Sequence, residues 1–198
     1  IDFQIFTALH PNITAVFVGV IGACVGSFLN VCIHRLPKGE SVISPPSHCA
    51  CGKEIPVWFN IPLVGWLLHK GRAKCCDAAI SVQYPLVELL TALLFVTAFL
   101  TLSPIKAVIG CVFLSLLIIL AGCDLKEMLV PDAPNFLLVG FGLLFSIIAP
   151  SLHGETSSSL AIINRLNSAT DSLIGIAVGT ALVWWIRTIG SVIMGQEA

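Results

Sequence analysis

The sequence predicts an all-α polytopic membrane helix bundle with a small cytoplasmic cysteine-bearing domain between the first two spans. Three observations predict it. Hydrophobic residues make up 57% of the 198, charged residues only 11%, and the mean hydropathy is +0.98; a soluble domain carries about 25% charge because its surface must be wetted. The charges are also missing over long runs, none falling between Phe3 and His34, and about 20 apolar residues in a helix cross a hydrocarbon core about 30 Å thick. One polar stretch, residues 35–83, interrupts the pattern and carries half of the eight cysteines. The apolar runs make the lipid bilayer the expected partner, and the net charge of -1 gives no footprint for nucleic acid, which is not expected.

Five spans are expected in order, at residues 13–33, 85–102, 105–122, 135–149 and 172–194. The sequence opens on Ile1 and not on Met, so the natural chain is expected to begin earlier. No basic start with a short apolar core and a cleavage site precedes the first span, which is therefore expected to stay as a helix. Gly22 and Gly26 lie four apart in that span, as Gly175 and Gly179 do in the fifth. Small residues at this spacing let two helix backbones approach closely in lipid. The fourth span is short and is expected to be tilted or partly broken. Residues 150–171, with the run Thr156-Ser157-Ser158-Ser159, read as a mobile loop without evident chemistry. The domains expected are a first transmembrane helix at 1–34, a cytoplasmic domain at 35–83 and a membrane bundle at 84–198.

Lys and Arg placement gives the orientation. Five alternating spans put Arg35, Lys38, Lys53, Lys70, Arg72, Lys74, Lys126 and Arg187 on one side, leaving Lys106 and Arg165 on the other. The cysteine segment and Asp124 are thus expected on the cytoplasmic side, with the N-terminus outside.

Of the cysteines, Cys24, Cys32, Cys111 and Cys123 lie in or at the ends of apolar spans and read as packing residues. Cys49, Cys51, Cys75 and Cys76 cluster in the polar segment. Two close pairs could hold one tetrahedral zinc through four thiolates, stapling a domain too small for a good core. A cytoplasmic setting disfavours stable disulfides. The spacing is poor, since zinc knuckles leave two or more residues between paired cysteines, and incidental cysteines are the competing reading. His48 could stand in as a ligand, but a lone His there is more often a loop residue.

Ionisable groups at membrane depth are expensive, and are usually functional or paired. Glu88, a few residues into the second span, reads as structural or as support for a site. Asp124 follows the apolar run 112–120 and the small residues Ala121, Gly122 and Cys123. A carboxylate at a membrane boundary is partly desolvated, which suits an aspartic protease, where two carboxylates share one proton and activate water. Without further support an ordinary helix-end Asp is the simpler reading. Asp132, after Pro131, reads as the N-cap region of the next helix.

That support comes from four strings. Gly26-Ser27-Phe28-Leu29-Asn30-Val31 followed by Arg35-Leu36-Pro37, then Asn60-Ile61-Pro62-Leu63, then Ile80 through Thr91, resemble in order the type IV prepilin peptidases. Asp124-Leu125-Lys126-Glu127-Met128-Leu129-Val130-Pro131-Asp132 resembles that family's first active-site motif, whose leading Asp is catalytic. The resemblance implies an intramembrane aspartic endopeptidase of the bacterial inner membrane. Such an enzyme removes the leader of prepilins or pseudopilins after a Gly at the cytoplasmic face. Many members also methylate the new N-terminal amine with S-adenosylmethionine.

Two departures stand out. The family's polar segment carries two C-x-x-C pairs; Cys49 and Cys76 match, Cys51 sits one place early, and Ala73 takes the third cysteine's place with Cys75 nearby. The partner Asp belongs to a G-x-G-D motif, which this sequence lacks. The run Met194-Gly195-Gln196-Glu197-Ala198 resembles what precedes that motif, so the chain is expected to stop just short of it, to hold half a dyad and to be inactive alone. Asp171 is no substitute, being on the opposite face in this topology. Two rival classes remain: a non-catalytic membrane assembly factor with a cysteine domain, and a thiol redox carrier built on Cys49, Cys51, Cys75 and Cys76.

Overall fold

Runs of apolar residues uninterrupted by Gly-Pro breaks fold as helices that satisfy their own backbone, the state required in lipid. The computed structural model describes residues 10–44, 49, 51–52, 61–128, 130–150 and 160–194, the side chains of 183, 186–188 and 190–194 excepted. His48, Lys53, Asn60, the serine run at 156–159 and residues 195–198 lie outside the described residues. Among those described, six helices run in order: α1 Pro11–Arg35, α2 Val64–Leu68, α3 Gln83–Thr101, α4 Pro104–Glu127, α5 Asp132–Ile148 and α6 Ala161–Met194. No strand forms among them, and a lone bridge pairs Arg72 with Ala79. α1, α3 and α4 are long and apolar enough to cross a membrane, and α5 is a shorter apolar helix. Val16, Phe17 and Val20 on α1, Leu89, Leu93 and Leu100 on α3, and Val108 and Phe113 on α4 are all exposed. Apolar surface on that scale marks a face meant for lipid.

Helix ends follow local chemistry. Pro11 and Pro104 open α1 and α4 in the first turn, where a missing N–H costs nothing. Pro85 likewise sits in the first turn of α3, so that helix starts at Gln83, two residues before the expected boundary. At its far end α4 continues past the apolar run through Lys126 and Glu127 and stops at Met128, which takes a left-handed conformation (φ 52°) and donates its N–H to the Asp124 carbonyl at 2.9 Å.

The chain divides into two compact units, residues 1–138 and 139–198. In the first, α1 lies along α3. A Cβ added at Gly22 would stand 2.8 Å from the Ala92 Cα, and one at Gly26 would stand 2.7 Å from the Glu88 Cα. These two glycines are therefore the close-approach pair that the spacing predicts. Leu29, Cys32, Ile33, Val87, Ile118, Ile119 and Cys123 form one core cluster, and Val18, Phe95, Ala98, Ala107 and Cys111 another.

Three expectations need correction. In the second unit, residues from Ala161 onward are helical, so α6 begins eleven residues before the expected span and the loop is shorter than 150–171. Asn164, Arg165, Asn167 and Asp171 break the hydropathy pattern, but no Gly or Pro breaks the helix, and the Leu160 carbonyl accepts from Ile163 and Asn164 to start it. A Cβ at Gly175 or Gly179 would meet nothing within 4 Å among the described residues of its own unit, so this pair marks no close approach within that unit. Cys24 is exposed and does not pack, because it falls on the outer face of α1. Cys32, Cys111 and Cys123 are buried as expected.

Gly26→Val should lower stability by about 1–3 kcal/mol, since the new methyls must push α1 off the backbone of α3. Thermal unfolding in detergent reads this out, with Gly175→Val expected to change the midpoint far less. Equal midpoints for the two variants would show that α1 and α3 are not held this closely.

Candidate functional site

The polar segment is tied to the bundle through Glu88. Its side chain is 7% exposed, and its Oε2 accepts the backbone N–H of Leu63 at 2.7 Å, while the Ser27 hydroxyl of α1 also hydrogen-bonds to it. Leu63 presents that N–H from a left-handed backbone conformation (φ 61°). One turn further along α1, the buried Asn30 donates its Nδ2 to the Tyr84 carbonyl at 3.0 Å, at the start of α3. No buried side-chain nitrogen or oxygen among the described residues is left unpaired. These contacts fit the structural or supporting role expected of Glu88. Nothing in the sequence shows that its partner is a backbone group 25 residues away.

Asp124 lies in the last turn of α4, and its side chain is exposed on the protein surface. The two residues before it fix that end of the helix. A Cβ at Gly122 would collide with the Ile33 side chain of α1. Cys123 is 0% exposed and its Sγ lies 3.9 Å from the Ile33 carbonyl. Small residues that look like mere spacers thus let α4 close against α1 and aim Asp124 outward at a fixed place. Asp132 is the first residue of α5, close to the N-cap position expected for it. Asp171 stands within α6, not in a loop.

The four clustered cysteines come together. Sγ of Cys49 is 3.3 Å from that of Cys76, Sγ of Cys51 is 3.3 Å from that of Cys75, and all four lie within 4.8 Å of one another. Zn–S bonds of about 2.3 Å in a tetrahedron set sulfurs about 3.8 Å apart, so the donor set has the size and chemistry for one such ion. The turns compensate for the short spacings. After Cys51, Gly52 takes a positive φ of 83° and donates to the Cys49 carbonyl at 2.9 Å. After Cys76, Asp77 takes φ 56° and donates its N–H to the Ala73 carbonyl at 2.8 Å, while its carboxylate meets Arg72 at 2.7 Å. That exposed ion pair contributes little by itself.

Four crowded sulfurs ionise unequally. The backbone N–H of Cys51, with the neighbouring thiols, holds Cys49 down at about 6, whereas hydrogen bonding to Cys49 and Cys51 pushes Cys75 up to about 12. Cys49 is thus the thiol that ionises readily, whereas Cys75 and Cys76 hold their protons more tightly. A divalent cation would remove that constraint by favouring all four thiolates together.

A family model described as the bacterial peptidase A24 N-terminal domain matches residues 20–102, a stretch holding the Glu88 contacts and all four clustered cysteines. The prepilin leader peptidase/N-methyltransferase of Klebsiella pneumoniae is 36% identical over 98% of this chain and 82% of its own length. The protein of the same name from Pectobacterium carotovorum subsp. carotovorum is 34% identical over 100% of this chain and 74% of its own. That from Myxococcus xanthus is 36% identical over 93% and 51%. No solved structure matches.

Glu88→Ala should cost about 1–3 kcal/mol, because the Leu63 N–H and the Ser27 hydroxyl lose a shared acceptor, and Glu88→Gln should recover much of the loss. Thermal melts of the three proteins in detergent test this. Identical midpoints would mean that the contact does not hold the polar segment to α3.

Proposed function

This chain belongs to the prepilin leader peptidase/N-methyltransferase family, and on that premise we propose that it serves as an aspartic endopeptidase of the inner membrane with Asp124 as one catalytic carboxylate. The substrate is a prepilin or pseudopilin, cut after Gly where its leader meets the apolar helix, at the cytoplasmic face. The observation that carries this reading is 36% identity to a protein of that name across 98% of the chain. Asp124 supports it geometrically: it is an exposed carboxylate on the end of a membrane-length helix that Gly122 and Cys123 fix against α1. A peptide held in lipid can reach such a group by moving laterally, and its arrival would strip water from the carboxylate. In the proposed step Asp124 pairs with a second carboxylate that shares one proton with it. The ionised member takes a proton from water as the water attacks the scissile carbonyl, and the protonated member hydrogen-bonds the developing oxyanion. The sequence contains no G-x-G-D, the motif to which the resemblance assigns that second group.

The domains proposed are a first span at 1–34, a cytoplasmic domain at 35–83 and a peptidase bundle at 84–198. Cys49, Cys51, Cys75 and Cys76 would hold one zinc ion, whose role there is to cross-link two turns of the polar segment. Methylation of the new N-terminus from S-adenosylmethionine is proposed from the family name alone, and no residue is assigned to it.

In the full-length gene product, Asp124→Asn should abolish leader cleavage of a prepilin while leaving the thermal midpoint unchanged. Normal processing by that variant would remove Asp124 from the mechanism and favour the assembly-factor reading. Purified protein should contain one zinc per chain, and a Cys49→Ser, Cys76→Ser double variant should lose the metal and melt at lower temperature. A folded, metal-free protein whose stability is indifferent to chelator would show that the cluster is not a zinc site.

A further inference from the structure

α3 has 19 residues. At 1.5 Å per residue it is about 28 Å long, close to the thickness of a hydrocarbon core, so Gln83 must sit near the lipid boundary if α3 spans. Glu88, five residues further, then lies about 7 Å deeper along the axis. Its carboxylate holds the Leu63 N–H at 2.7 Å. The chain before α2 is therefore drawn down to the level of the second turn of a membrane helix.

The residues after Leu63 suit that depth. The short helix α2 is Val-Gly-Trp-Leu-Leu, without a polar side chain apart from the indole N–H. Gly65 is buried, and Trp66 turns inward, donating its Nε1 to the Ile80 carbonyl at 3.2 Å with Gly71 beneath its ring. The opposite side is left bare: Leu67 is 65% and Leu68 73% exposed, with Ile61 and Val64 also exposed. Val82 and Leu86, at the entry to α3, are exposed as well. Immediately past α2 come Lys70, Arg72 and Lys74, of which Arg72 pairs with the acid Asp77, so the run keeps a net positive charge. An apolar turn followed by cations is the composition that seats a segment at an anionic lipid surface.

We propose that residues 61–70 form an interfacial wedge in the leaflet on the cysteine side, with Leu67 and Leu68 among the headgroup-proximal parts of the acyl chains and the cations beyond them at the headgroups of anionic lipids. The polar segment then has two parts, a cysteine cluster in water and a lipid-seated anchor that fixes its height above the bilayer. This rests on the reading of α3 as a membrane span.

The test reconstitutes the full-length gene product in phosphatidylethanolamine and phosphatidylglycerol vesicles containing lipids brominated at shallow or deep acyl positions. Dansylalanine replaces Leu67, Leu68 or, as a reference within α3, Leu93. Shallow-brominated lipid should quench positions 67 and 68 more strongly than deep-brominated lipid does, as expected of side chains at the headgroup and acyl boundary, and deep-brominated lipid should quench position 93. Quenching at 93 with none at 67 or 68 would overturn the wedge while leaving the span intact. An unquenched probe at 93 would remove the span and the wedge with it. Emission at 67 and 68 that responds only to an added prepilin helix would assign this face to substrate, and the lipid seat would be wrong.

Discussion

The cysteine side of the first unit is hung from the contact of Gly26 with the backbone of α3. With a Cβ-to-Cα gap of only 2.7 Å available there, any side chain at position 26 would part the two helices. Ser27 and Leu63 could then no longer share the Glu88 carboxylate, and Asn30 could no longer reach the Tyr84 carbonyl. In lipid such groups have no water to fall back on, so a helix pair that opens loses packing and hydrogen bonds together. About two turns beyond, α1 offers Ile33 to Gly122 and Cys123 of α4. The close pair α1 and α3 thus sets the platform on which the end of α4, and with it Asp124, is fixed.

That arrangement divides labour among residues of very different visibility. The catalytic role proposed for Asp124 needs an exposed carboxylate on a rigid mount, since a mobile acid would spend little time aligned with a scissile bond. Gly122, Cys123 and the left-handed Met128 supply the mount, and none of them carries chemistry of its own. The cysteine cluster stands apart from this: it gathers two loop turns, and its proposed ion would act on folding and not on the bond being cut. Glu88 joins the two regions, being buried in α3 and bonded to the segment that leads to the cluster.

Much of this is legible in the sequence because lipid imposes a plain rule. Charge-free runs long enough to span become helices, and α1, α3 and α4 fall where those runs fall. The glycine pair of α1 is legible for the same reason, whereas the equally spaced Gly175 and Gly179 meet nothing among the described residues of their own unit. Helix ends are less legible. Hydropathy stops at water, whereas a helix does not: α4 continues through Lys126 and Glu127, and the first two turns of α6 hold Asn164, Arg165 and Asn167. The cysteine geometry is hidden because C-x-C and C-C spacings look wrong for a tetrahedral site. Positive φ angles at Gly52 and Asp77 turn the chain after each pair, and the four sulfurs lie within 4.8 Å of one another. The Leu63 partner of Glu88 has no sequence signal at all, since a backbone N–H is the same in every residue but proline.

The most direct test of the catalytic assignment is where a substrate's scissile bond comes to rest. A prepilin carrying a photoreactive diazirine residue next to its cleavage site would be bound to the full-length gene product in membranes, irradiated, and the adducts mapped by mass spectrometry. Adducts are predicted on the last turn of α4, at and around Asp124. Adducts confined to α6, or to the cysteine cluster, would contradict the assignment.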